Sequence, residues 1–138
     1  MSTTKTLHLA KDVIGAGILP TEVQWIGQNL HVDWQREDHV WATLRVGEDG
    51  VAFRVATGPD FEQCDYRPLT GVQETLDRAQ ETLGEWELPA VVSWEGEQLF
   101  LQWTATGRRA YIEIDEENVC VGVGLGADQV IADYEAVA

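Results

Sequence analysis

Apolar and polar residues alternate through residues 19–34, LPTEVQWIGQNLHVDW, and again through residues 88–103, LPAVVSWEGEQLFLQW. Each run is broken at its middle by a glycine-led dipeptide, Gly27-Gln28 and Gly96-Glu97. Glycine at the first loop position is what a two-residue type II′ hairpin turn requires. The turn sets the register, with Trp25 across from Leu30 and Val23 across from Val32. Val23, Trp25, Leu30, Val32 and Trp34 then share one face, as do Val92, Trp94, Leu99, Leu101 and Trp103. The repeated tryptophans are therefore expected in the core.

Two further alternating strands follow each hairpin: HVWATLRV and GVAFRVA, then RAYIEID and VCVGVGL, with GEDG and DEEN as the tight turns. Their inward sets are Val40, Ala42, Leu44, Val46 with Val51, Phe53, Val55, and Ala110, Ile112, Ile114 with Val119, Val121, Val123. Ahead of each hairpin, Leu7, Ala10, Ile14 and Val72, Leu76, Ala79, Leu83 fall at helical spacing. Gly15 and Gly84 follow as helix caps would. After the fourth strand a short acidic helix is expected, more strongly in the second half, where Val130, Ile131, Tyr134 and Val137 keep helical spacing.

The two halves match at a constant offset of 69 residues: Thr6/Thr75, Leu7/Leu76, Ala10/Ala79, Pro20/Pro89, Trp25/Trp94, Gly27/Gly96, Leu30/Leu99 and Trp34/Trp103. With one residue deleted the match continues through Val51/Val119, Gly58/Gly126, Asp65/Asp133 and Tyr66/Tyr134. The expected architecture is α+β, an internal duplication of an α-ββββ(-short α) unit, residues 1–69 and 70–138. Both copies belong to one compact domain. An antiparallel meander with one apolar face needs a cover, and the preceding helix is the nearest candidate. The units can join edge to edge or pack face to face. A continuous or pseudo-twofold sheet with an open, partly apolar face is favoured because the second face is mixed, with aromatics, Trp41 and Tyr111, expected at corresponding places.

Charge changes the picture. Nine Lys and Arg stand against 24 Asp and Glu, a net charge of −15, and Lys5 and Lys11 are the only lysines. Direct contact with nucleic-acid phosphates or anionic lipid is disfavoured. Three explanations compete: solubility, including adaptation to a salty cytoplasm; attraction to a basic partner, whose on-rate such a field raises; and a cation site, for which no clustered ligand spacing is found. Cys64 and Cys120 have no metal or disulfide spacing, no run is apolar enough to span a membrane, and the first residues lack a leader's apolar core. Free thiols and a cytoplasmic location are expected, as a monomer or a homodimer.

Chemistry-bearing motifs are few. Gly122-Val-Gly124-Leu-Gly126-Ala127 fits a dinucleotide fingerprint, but the strand and acidic residue that should follow are missing before residue 138. Alternating glycines that thin the outward face of a strand are the better explanation. Ser2, Ser93, His8, His31 and His39 form no nucleophile pattern, although His31 and Ser93 occupy nearly equivalent outward positions. No cofactor and no metal are expected. What remains is Trp41, Phe100 and Tyr111 on a polar sheet face, aromatic anchors of the kind found at interfaces. The expected function is therefore non-enzymatic: an acidic protein-binding protein, an inhibitor of immunity, counter-defence or nucleic-acid-mimic type, occupying a basic surface of a protein partner. Trp41, Tyr111, Phe100 and His31 would contact that partner, and Asp33, Glu37, Asp38, Glu48, Asp49, Glu113 and Asp115 would steer it. The alternatives are a secretion or assembly chaperone and a small enzyme with its site between the two repeats.

Overall fold

The computed structural model of the chain describes residues 3–15, 17–83, 88–105, 108–125 and 127–137. A helix followed by five strands occurs twice in chain order. The first series is α1 (Thr3–Val13), β1 (Glu22–Ile26), β2 (Asn29–Glu37), β3 (Val40–Gly47), β4 (Gly50–Thr57) and β5 (Asp60–Thr70). The second is α2 (Val72–Thr82), β6 (Val91–Glu95), β7 (Gln98–Ala105), β8 (Arg108–Ile114), β9 (Asn118–Leu125) and β10 (Asp128–Ala136). All ten strands form one curled antiparallel sheet in the order β1-β2-β3-β4-β5-β10-β9-β8-β7-β6. Neither helix is long and apolar enough to cross a membrane.

The hairpin register is the one the turn chemistry dictates: Val23 pairs with Val32, Trp25 with Leu30, and Trp94 with Leu99. Gly27 and Gly96 have φ of 64° and 63°, while Gln28 and Glu97 stay at negative φ, as a type II′ turn demands. The alternation then holds across both meanders. Leu44, Val46, Phe53 and Val55 are buried on the same face as Ile112, Ile114, Val119 and Val123. Against that face α1 packs over β3–β5 and α2 over β8–β10, burying Leu7, Ala10 and Ile14 and, at the same offset, Leu76, Ala79 and Leu83. The buried side chains of both series form one cluster. Trp25, Trp34 and Trp103 are core, whereas Trp94 is half-buried at its edge.

Each helix also reaches the other series. Trp94 Nε1 donates to Ile14 O at 2.6 Å, Gly17 N to Val92 O at 2.8 Å, and Lys11 Nζ to Gly96 O at 2.6 Å. In the reverse direction Gln80 Nε2, on α2, donates to Gly27 O at 3.0 Å in the β1–β2 turn. The last carbonyls of α1 are served from β2, where Arg36 Nη1 donates to Val13 O at 2.8 Å beside a bulge.

The expected tail helices are strands instead, so each series is α-βββββ rather than α-ββββ with a short α. The sequence VIADYEAV satisfies both periods: Val130, Ile131, Tyr134 and Val137 suit a helix, while Val130, Ala132, Tyr134 and Ala136 alternate. Alternation prevails because β4 and β9 would otherwise be open edges, and β5 and β10 cover them and then pair with each other. Ala132 and Tyr134 are accordingly buried and Ile131 is exposed. The glycine caps differ as well. Gly15 is not left-handed, and among the described residues the first left-handed one after α1 is Gly17 at φ 81°. Gly84 and Gly126 lie outside the described residues.

Candidate functional site

The helices cover one face of the sheet and leave the other open. On the first meander the open face carries three cross-strand rows: Gln24, His31, Arg45, Ala52, Asp65; then Glu22, Asp33, Thr43, Arg54, Gln63; then Gln35, Trp41, Ala56, Phe61. The second meander presents Ser93, Phe100, Glu113, Cys120, Asp133; then Val91, Gln102, Tyr111, Gly122, Ile131; then Thr104, Arg109, Gly124, Gln129. These side chains alternate with the core set, so their placement follows directly from the pleat.

Of the residues singled out in the sequence, His31, Asp33, Trp41, Phe100, Tyr111 and Glu113 share this open face. Glu37 and Asp38 sit at the β2–β3 turn, Glu48 and Asp49 at the β3–β4 turn, and Asp115 at the β8–β9 turn, so the steering carboxylates ring the face instead of lining it. Trp41 and Tyr111 are not at corresponding places. Leu30 pairs with Val46 and Leu99 with Ile114, which makes Thr43 the counterpart of Tyr111 and Arg109 the counterpart of Trp41. His31 and Ser93 lie on β2 and β6, strands near opposite ends of the sheet order.

Two aromatic pairs result. Trp41 and Phe61 straddle Ala56, ring centroids 6.0 Å apart at 58°. Phe100 and Tyr111 stack at 6.2 Å and 29°. Tyr111 lies over Gly122, where an added Cβ would fall 2.2 Å from its ring. The glycine makes room for the ring, so the outward face is thinned as expected from sequence, but for a side chain and not for approaching backbone. The Tyr111 hydroxyl is 4.0 Å from Cys120 Sγ and accepts from Gln129 Nε2 at 3.4 Å. Burial, reinforced by Cys120 and Glu113, pushes its pKa up to about 12. Burial also raises the Cys120 thiol. Burial first, then the Arg45 guanidinium, holds His31 below its ordinary value, against the opposing pull of Asp33.

Sequence reasoning misses Phe61, because its segment is where a tail helix is expected, and misses the cationic end of the second meander. There Arg108 and Arg109 border an open-sided depression of about 640 Å³ that Gly124, Phe100, Tyr111, Glu113 and Asp128 also line. The pair of adjacent arginines in a chain with so few cations was the available signal. A second depression of about 710 Å³ lies over His31, Arg45, Ala52 and Asp65. Among the described residues no group of three or more His, Cys, Asp or Glu is placed to hold a metal ion. No protein-family model, curated protein or solved structure matches the chain.

Proposed function

We propose that the protein is a non-enzymatic binding protein of the cytoplasm, an inhibitor type that docks its open sheet face on a basic protein partner. The observation that carries this reading is the pair of aromatic clusters, Trp41–Phe61 and Phe100–Tyr111, on a sheet face that neither helix covers. Half-buried aromatics set among polar side chains supply large contact area at low entropic cost, and carboxylates at the surrounding turns favour encounter with positive charge. Direct binding of nucleic acid or membrane is opposed by the net charge of −15. Strand addition at an edge, as a chaperone would use, has less support, because Val92 O at the outer edge of β6 is already taken by Gly17 N.

The reading includes a fold history. The chain is an internally duplicated unit, residues 1–69 and 70–138, with a pseudo-twofold axis between β5 and β10. Support comes from the central register: Arg67 faces Glu135, Tyr66 faces Ala136 and Tyr134 faces Pro68, all related by an exchange of residues 68 apart. A chain built this way supplies the symmetry of a dimer within a monomer.

The experiment is capture from the source cell on immobilised wild-type protein and on Trp41→Ala/Tyr111→Ala, followed by a salt gradient. A basic protein retained by wild type, lost from the variant and released by moderate salt is expected. Retention of no basic protein at low salt counts against the reading.

A further inference from the structure

The outward side chains of β8 run Arg109, Tyr111, Glu113, a cation, an aromatic ring and a carboxylate at alternate positions. At the strand rise their Cα atoms span about 13 Å from first to last. Arg108 adjoins Arg109, both are exposed, and among the described residues neither has a carboxylate within ion-pair distance. The depression they border is about 640 Å³, within the range of small-molecule sites. Gly124 lines it as well, and among the described residues a Cβ added there would meet Asp128 O at 3.3 Å. Tyr111 is held flat over Gly122 and extended by Phe100, which offers a preformed platform for a planar ring. Gln102 and Gln129 flank that platform with amides that can both donate and accept.

Arg108, Arg109 and Asp128 line one end and Glu113 the other, with an aromatic surface between them; two guanidiniums against one carboxylate leave the first end net positive, which selects a ligand of matching polarity. We propose that this depression binds a nucleoside monophosphate whose base carries an exocyclic amino group. The phosphate pairs with Arg108 and Arg109, the base stacks on Tyr111 and Phe100, and the amino group donates toward Glu113. The site shares Phe100, Tyr111 and Glu113 with the proposed docking face but does not rest on that reading, and it inverts the charge preference of the surface around it. The net charge repels a phosphate at long range, but at physiological salt that repulsion is screened beyond about 8 Å while the contact with two guanidiniums persists.

Calorimetric titration of the full chain at about 0.15 M salt tests this, with AMP, IMP, adenosine and inorganic phosphate as probes. AMP should saturate with a dissociation constant below about 1 mM, and each other probe should bind at least about tenfold more weakly. Arg108→Gln/Arg109→Gln should reduce AMP affinity about tenfold or more and leave adenosine unchanged. Glu113→Gln should bring AMP and IMP together. All three side chains lie outside the core, and the thermal midpoint of each variant checks that it folds. No saturation by AMP, phosphate binding as tightly as AMP, IMP binding as tightly as AMP to wild type, or unchanged AMP affinity in the arginine variant would each overturn the proposal.

Discussion

The Tyr66 hydroxyl, buried under the first meander, donates at 2.8 Å to the carbonyl of Asp115, which closes a hairpin of the second. Tyr134 makes the reciprocal contact, donating at 3.0 Å to Gly47 O at the β3–β4 turn. Each tyrosine thus sits on the strand at the seam and ties it to a turn of the opposite series. Tyr66→Phe and Tyr134→Phe keep the packed ring and remove the latch, the first also taking away the acceptor of the Cys64 thiol. Each should lower unfolding free energy by about 1–2 kcal/mol, since a carbonyl in a half-buried turn loses its donor. Urea unfolding is the measurement, with the midpoint falling and the m-value unchanged. Midpoints equal to wild type would mean that water replaces the hydroxyls without loss.

The Tyr111–Gly122 contact makes a separate expectation. Gly122→Ala places a Cβ 2.2 Å from the Tyr111 ring, and the ring, being the far end of a side chain, can swing away. Stability should fall by about 1 kcal/mol or less. The tyrosine should then lose its place beside Cys120 and Gln129, and its pKa should drop from about 12 toward the ordinary value. Tyrosinate absorbance during a pH titration reports this directly. A variant whose Tyr111 still ionises near pH 12 would show that the glycine is not what lays the ring flat.

How far the sequence speaks for itself is visible in these same residues. Gly27 and Gly96 fix the hairpin registers because a two-residue turn leaves no freedom, so Trp25 and Leu30 could be paired from the letters alone. Tyr66 and Tyr134 could not be placed the same way. Residues 130–137 satisfy two periods at once, and the choice between them was made by strands far away in sequence that needed an edge partner. The same error hid Phe61, and with it the Trp41–Phe61 pair. Trp41 and Tyr111 are 70 residues apart, whereas the strand register relates these two strands by 68, so two aromatics of similar setting are not equivalent positions.

Alkaline stability follows from all three tyrosines. Burial raises the pKa of Tyr66, Tyr111 and Tyr134 alike, Tyr111 to about 12. For a group whose folded pKa exceeds its unfolded one, the stabilisation is complete below the unfolded value, about 10, and is lost as pH rises toward the folded value. The native protein should therefore show no tyrosinate signal as pH passes 10, and its unfolding free energy should decline above that point. Denaturant melts at intervals from pH 8 to pH 12, paired with absorbance, check both. A normal tyrosine titration in protein still folded by circular dichroism would contradict the burial of these rings.

Arg67 and Glu135 face each other across the β5–β10 pair and form an ion pair, Arg67 largely exposed and Glu135 about a third so. Under the proposed duplication the two positions are equivalent, so a symmetric ancestor would have set identical residues against each other there. Opposite charges are open only to a chain whose halves have diverged. Arg67→Glu alone sets two carboxylates face to face and should cost about 0.5–1 kcal/mol, as two guanidiniums should in Glu135→Arg. Solvent screening keeps both values small. Exchange of the pair, Arg67→Glu with Glu135→Arg, should return stability to within a few tenths of a kcal/mol of wild type, because a twofold offers each side chain the surroundings of the other. The double-mutant cycle, measured by urea unfolding at low salt, reads the coupling. An exchanged protein no more stable than the single variants would show that the surroundings of the two positions differ, and the pseudo-twofold at the seam would fall with it.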